Sequence, residues 1–120
     1  MENVVISDKV EKPWGWYTVH DTNNIKPYKI KTLYIKPHLQ FSLQKHEHRE
    51  EFWVIVDGDG FLTLSDHHSH VVRGNHIHIG TSVIHRLTAG KDGIKLVEVQ
   101  LGTICDENDI VRLKDDYGRI

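Results

Sequence analysis

Strand-like runs return every few residues along this chain, and no window places its apolar residues at helical spacing. "WGWYTVH" (14–20) is rich in aromatic and β-branched residues, and "DTNNIKP" after it reads as a loop. "YKIKTLYIK" (28–36) alternates charged with apolar positions, and Pro37 separates it from "LQFSLQKHEH" (39–48). "EFWVIV" (51–56) runs into "DGDG", which predicts a turn. The runs 61–64, 70–72, 76–79, 85–88, 94–101 and 109–114 complete the set. "CDENDIVRLKDD" comes nearest to a helical pattern and leaves room for one short helical turn. Many short strands between Gly, Asn and Asp turns predict an all-β fold, a sandwich or a small barrel.

A length of 120 residues suits one domain with one core, and no repeat or linker interrupts it, so a single domain over 1–120 is expected. No apolar run approaches the roughly 20 residues of a membrane span. The opening "MENVVISDKVEKPWGW" lacks the basic-then-apolar order of a signal peptide. A net charge of −2 without a basic stripe argues against a nucleic acid partner. Cys105 is the sole cysteine, so no intrachain disulfide forms, which suits the reducing cytoplasm. The unusual feature is ten histidines, because imidazole is the commonest metal ligand.

Residues two apart on a strand share a face. Gln44, His46 and His48 are therefore expected on one face, with Lys45 and Glu47 on the other. Glu51, Trp53 and Ile55 share one face of the next run. A carboxylate facing the same interior as two imidazoles makes a metal-binding shell. No thiolate is near, so the expected cofactor is a divalent ion: zinc first, with manganese, cobalt, iron and nickel also suited to these donors. The run "DHHSH" (66–70) is expected to be a solvated loop, and His76 and His78 to face away from a core formed by Ile77 and Ile79. Glu98 and Gln100 share one strand face, either lining a cavity or facing solvent.

Residues 38–58 resemble the first motif of the cupin superfamily, which runs glycine, five residues, His-x-His, three or four residues, glutamate, six residues, glycine. Gly58 closes the motif, Glu51 takes the glutamate slot, Gln44 and His46 take the histidine slots, and His38 stands at the opening glycine. Residues 74–89 resemble the second motif: Gly74 opens it, His85 takes its histidine slot, and Gly80, Ser82 and Ala89 replace its proline, glycine and asparagine. The segments "KPWGWY", "SLQKHEHREEFWVIV", "HRL", "VEVQLG" and "DENDIVRLKDDYGR" are similar to the cupin isomerase domain of type II phosphomannose isomerases. That likeness covers residues 10 to 119, and "KPWG" and "DIVRLKDDYGR" are more specific than the cupin motifs. In many bacteria the domain ends a bifunctional enzyme with a guanylyltransferase, for which 120 residues leave no room.

The resemblance implies a double-stranded β-helix, the jelly-roll barrel, paired into a homodimer through edge strands such as "NVVISDKV". It implies metal ligands at Gln44, His46, Glu51 and His85, with His48 as the substitute for Gln44. It further implies interconversion of mannose 6-phosphate and fructose 6-phosphate, a proton moving between C2 and C1 through an enediolate. Glu98 and His48 are the candidates to carry that proton. Arg49, Arg86 and Arg112 are the candidates to hold the phosphate of the sugar, because guanidinium matches it bidentately. The competing expectations are a non-catalytic cupin that binds a sugar or sugar phosphate, and another cupin enzyme such as a dioxygenase or an epimerase.

Overall fold

Alternation in residues 28–35 becomes a strand whose inward side chains are Lys31, Leu33 and Ile35. The computed structural model describes residues 8–119. Nine strands follow in order: β1 Val10–Lys12, β2 Gly15–Asn23, β3 Tyr28–Ile35, β4 Leu43–Lys45, β5 Arg49–Leu64, β6 His67–Val72, β7 His76–Ile79, β8 His85–Gly102 and β9 Val111–Lys114. Every pairing between them is antiparallel. No described residue lies in a helix, so none of the described residues forms a helix long and apolar enough to cross a membrane.

The long strands β5 and β8 organise the fold. Residues 49–58 of β5 and 94–102 of β8 pair with each other, flanked by β3 and β7. Residues 60–64 of β5 and 85–89 of β8 also pair, flanked by β6 and β4, with β9 beyond β4. The pair thus passes from one layer into a second, curling the sheet into an open antiparallel half-barrel. The bend falls at "DGDG", which is a bulge inside β5 and not the turn its residues predict: the register shifts between Ile55 and Asp57 and again between Gly58 and Gly60. Gly58 (φ 76°) and Gly93 (φ 79°) both take left-handed backbone there. A Cβ on Gly58 would lie 2.1 Å from the Gly93 carbonyl oxygen, so glycine is required for this close crossing.

The core fills the space between the layers with Leu33, Ile35, Ile55, Leu62, Leu87, Ala89, Ile94 and Leu96. Its rim is aromatic: the Phe41 ring meets Trp14 at 6.0 Å, Trp53 at 6.0 Å and His85 at 6.2 Å, each edge to face. "DHHSH" belongs to a hairpin rather than a loop. Its turn is confined to Ser65 and Asp66, and His67–Val72 pair with β5 while keeping their histidines exposed. His76 and His78 face outward and Ile79 inward, as alternation predicts. The segment 109–114 ends as a strand without a helical turn. Of the segment "NVVISDKV", expected to be an edge strand, residues 3–7 lie outside the described residues.

Candidate metal centre

Three strands carry donors to one point between the layers. His46 follows β4, Glu51 stands near the start of β5 and His85 opens β8; Glu51 pairs with Gln100 in one layer and His85 with Leu64 in the other, so the two meet because the sheet curls. All three side chains are buried, and one donor atom from each lies within 4.8 Å of the others. His46 Nε2 is 3.2 Å from Glu51 Oε2, and His85 Nε2 is 3.9 Å from Glu51 Oε1. These are edge lengths for a coordination shell with bonds of about 2.0–2.2 Å.

The hydrogen bonds fix the tautomers. His46 Nδ1–H donates to the Asp109 carbonyl at 2.6 Å, and His85 Nδ1–H donates to the Val83 carbonyl at 3.0 Å. Both Nε2 atoms therefore turn lone pairs toward the Glu51 carboxylate. His85 Nε2 is buried with no hydrogen-bond partner. His46 Nε2 meets only long contacts, Arg49 Nη2 at 3.4 Å and the Gln44 amide nitrogen at 3.5 Å. Two imidazole lone pairs facing a carboxylate make an arrangement that a cation completes, and carbonyl-bonded Nδ1 is the usual support of a ligating imidazole. Burial, reinforced by the Arg49 charge, lowers the His46 pKa to about 4, and burial likewise depresses that of His85. Both rings are neutral at neutral pH, the state a metal ligand needs.

Polar groups continue from the triad along the inner face. Trp53 Nε1–H is shared between Glu51 Oε1 at 3.1 Å and Glu98 Oε1 at 3.0 Å. Gln100 Nε2 donates to Glu98 Oε2 at 2.8 Å. Lys31 Nζ lies 3.8 Å from Glu98 and 3.0 Å from Glu107, above the Tyr17 ring at 4.0 Å. Burial, together with the Glu51 charge, raises the Glu98 pKa to about 7 against the pull of Lys31. Burial pulls Glu107 upward too, but Lys31, Lys29 and Arg49 outweigh it and hold its carboxyl at about 2.

The other expected site residues divide. Gln44 reaches the cluster through its amide nitrogen, 3.5 Å from His46 Nε2, while its oxygen accepts from the Ser42 hydroxyl at 2.6 Å. His48 does not share the face of Gln44 and His46, which corrects the alternation argument. The chain bends at Glu47 and His48, whose N–H groups both donate to the Asp109 carboxylate at 3.0 Å. The bend turns Arg49 inward and leaves His48 exposed. Arg49 donates to Glu51 Oε2 from Nε at 3.0 Å and lies 2.9 Å from it through Nη2. Arg86 is on the outer side, donating to the carbonyls of Phe41 at 2.9 Å and Lys114 at 3.1 Å. Arg112 faces the cavity lined by His46 and Glu51, as do Glu98 and Gln44.

Lys31 and Glu107 were not among the expected residues. The lysine hides in an alternating run whose charged positions look like the solvated side, and nothing local marks the glutamate as its partner.

Comparison with known proteins agrees with this architecture. Residues 1–115 match the family described as "Mannose-6-phosphate isomerase C-terminal". The chain is 38% identical over 112 residues to the xanthan biosynthesis protein XanB of Xanthomonas campestris pv. campestris, covering 92% of this chain and 24% of that protein. It is 36% identical over 112 residues to the alginate biosynthesis protein AlgA of Pseudomonas aeruginosa, covering 92% and 23%. It is 34% identical over 113 residues to the mannose-1-phosphate guanylyltransferase ManC of Salmonella typhimurium, covering 93% and 23%. The chain thus spans about a quarter of the length of these relatives. Among solved structures, Bacillus subtilis oxalate decarboxylase at pH 4.6 superposes with a TM-score of 0.78 at 15% identity, over 89% of this chain and 30% of that one. KdgF from Halomonas sp. gives 0.72 at 10% identity, over 79% and 87%. Both likenesses speak for the cupin fold alone. By the match over residues 1–115, this chain belongs to the Mannose-6-phosphate isomerase C-terminal family of cupin domains.

Proposed function

We propose that this chain is a metal-dependent isomerase that interconverts mannose 6-phosphate and fructose 6-phosphate. The observation that carries the proposal is the trio of buried donors His46, Glu51 and His85, with the unpartnered His85 Nε2 and the His46 Nε2 both aimed at one carboxylate. A divalent ion bound there supplies a Lewis acid for the oxygens of the sugar that gain charge during the proton shift. The chain's own groups supply the rest. Glu98, with a pKa raised to about 7, is suited to take a proton from one sugar carbon and return it to the next at neutral pH. Trp53 Nε1–H holds the Glu98 and Glu51 carboxylates in fixed relation, and Gln100 fixes the second Glu98 oxygen. Trp14, Phe41 and Trp53 exclude water from the floor of the site.

A coupled fructose 6-phosphate assay on protein loaded in turn with zinc, manganese, cobalt, iron and nickel tests this. Turnover with at least one ion is expected; folded, metal-loaded protein that never turns over would sink the proposal. Elemental analysis of His46→Ala should find metal well below stoichiometric.

The direct Arg49–Glu51 ion pair favours a second function, a cupin that binds a sugar phosphate without metal or catalysis. Saturable sugar-phosphate binding in chelator, with no isomerisation under any metal, would support that alternative.

A further inference from the structure

Two segments that give the metal centre no donor, "KPWG" and "DIVRLKDDYGR", meet at the cavity. Lys12, at the end of β1, and Arg112, on β9, line it together with His46 and Glu51 of the triad. The same cavity wall holds Lys31, Arg49 and Arg119, and each of these has a carboxylate: Lys31 has Glu107 at 3.0 Å, Arg49 has Glu51 at 2.9 Å and Arg119 has Asp115 at 2.8 Å. Among the described residues no carboxylate pairs with Lys12 or Arg112. Arg112 Nε is moreover buried without a hydrogen-bond partner. A buried guanidinium nitrogen left without an acceptor is costly, so such a group points to an acceptor that arrives with a ligand.

The ladder places it. Arg112 pairs with Gln44, and Gln44 pairs with His85, so Arg112 stands two strands from His85 on the inner face of the second layer. A ligand that reaches the triad at one end meets Arg112 at the other. An oxyanion with several acceptor oxygens suits a guanidinium fork and an ammonium together.

We propose that Arg112 and Lys12 form the phosphoryl subsite of this cavity, and that Arg49 and Arg86 do not. This assignment rests on the phosphosugar function proposed above. Arg49 is committed to Glu51 and to the Asp106 carbonyl at 2.9 Å, and Arg86 to backbone carbonyls outside the cavity.

The test is a phosphorus NMR titration of chelator-treated protein with inorganic phosphate, so that no bound metal contributes. Wild type should bind saturably. Arg112→Gln should weaken binding at least tenfold, Lys12→Gln several-fold, and the surface variant Lys26→Gln not at all. Arg112→Lys keeps the charge without the fork and should fall between. Wild type that binds no phosphate, or Arg112→Gln that binds it as wild type does, overturns the assignment. If Arg112→Gln does not fold, unchanged affinity in Lys12→Gln and Arg112→Lys overturns it equally. Phosphate binding that depends on Arg112, in a protein that never isomerises mannose 6-phosphate, leaves the subsite standing and removes the enzyme. Isomerisation whose KM is unmoved by Arg112→Gln does the reverse.

Discussion

Four rows of side chains cross the inner face of β3, β8 and β5, and they fall into two unlike pairs. Lys29, Gln100 and Glu51 form one row, and Lys31, Glu98 and Trp53 the next. One step further lie Leu33, Leu96 and Ile55, then Ile35, Ile94 and Gly58. The three strands keep the same order through both pairs, up to the bulge at Gly58; the main change is in the side chains. The apolar rows stabilise the fold by removing hydrocarbon from water, at about 25 cal/mol per Å². The polar rows gain little net stability, because desolvation of Lys31 and Glu98 offsets their attraction. The half-barrel is thus held by one end of its interior and carries its candidate metal site at the other.

Substitutions sharpen the contrast. Leu96→Ala, in a fully buried apolar row, should lower unfolding free energy by about 2–5 kcal/mol in a urea titration. Trp53→Phe keeps a ring but removes the N–H shared by Glu51 and Glu98, and should cost about 1–3 kcal/mol. A Trp53→Phe protein as stable as wild type would mean the two carboxylates do not depend on that donor.

Glu98→Gln makes a pH prediction. The folded Glu98 carboxyl has a pKa of about 7 against 4.5 ordinarily, so folding favours its protonated form. Its contribution is fully present below about pH 4.5 and is lost as pH rises through 7. Glutamine does not ionise, so in chelator Glu98→Gln should gain on wild type between those limits and hold a constant advantage above them. Urea midpoints measured from pH 4.5 to 8 check this, and a difference that stays flat with pH refutes it.

The smallest effect concerns backbone. His38 (φ 64°) and Ser82 (φ 64°) are left-handed non-glycines. Relief of strain of about 1–2 kcal/mol, less the roughly 0.5–1 kcal/mol entropy cost of glycine, makes His38→Gly stabilising by up to about 1.5 kcal/mol in thermal melts.

Those two residues also show how the sequence encodes the fold. The cupin pattern puts glycine at 38, 58, 74 and 82, and all four positions are left-handed here although only Gly58 and Gly74 kept the residue. Spacing therefore located His46, Glu51 and His85 even where identities were lost. Strand alternation was legible where pairing runs unbroken, as in β7 and along Glu98 and Gln100. It failed at His48, because the bend there depends on the Asp109 carboxylate, sixty-one residues away along the chain. It failed at "DGDG" for a similar reason: the neighbour that makes Gly58 a bulge is the Gly93 carbonyl. Lys31 escaped notice because its row partner, Glu98, sits on another strand.

The segment after β8 orders the site from outside. Asp106 bonds Arg49, Glu107 bonds Lys31, the Asp109 carbonyl orients His46 and its carboxylate sets the bend beside it. A chain emerging from the ribosome has all three donors once His85 is made, but not the Asp109 carbonyl that aims His46. The alignment of His46 therefore waits about two dozen residues longer than the donors themselves, until Asp109 has been added.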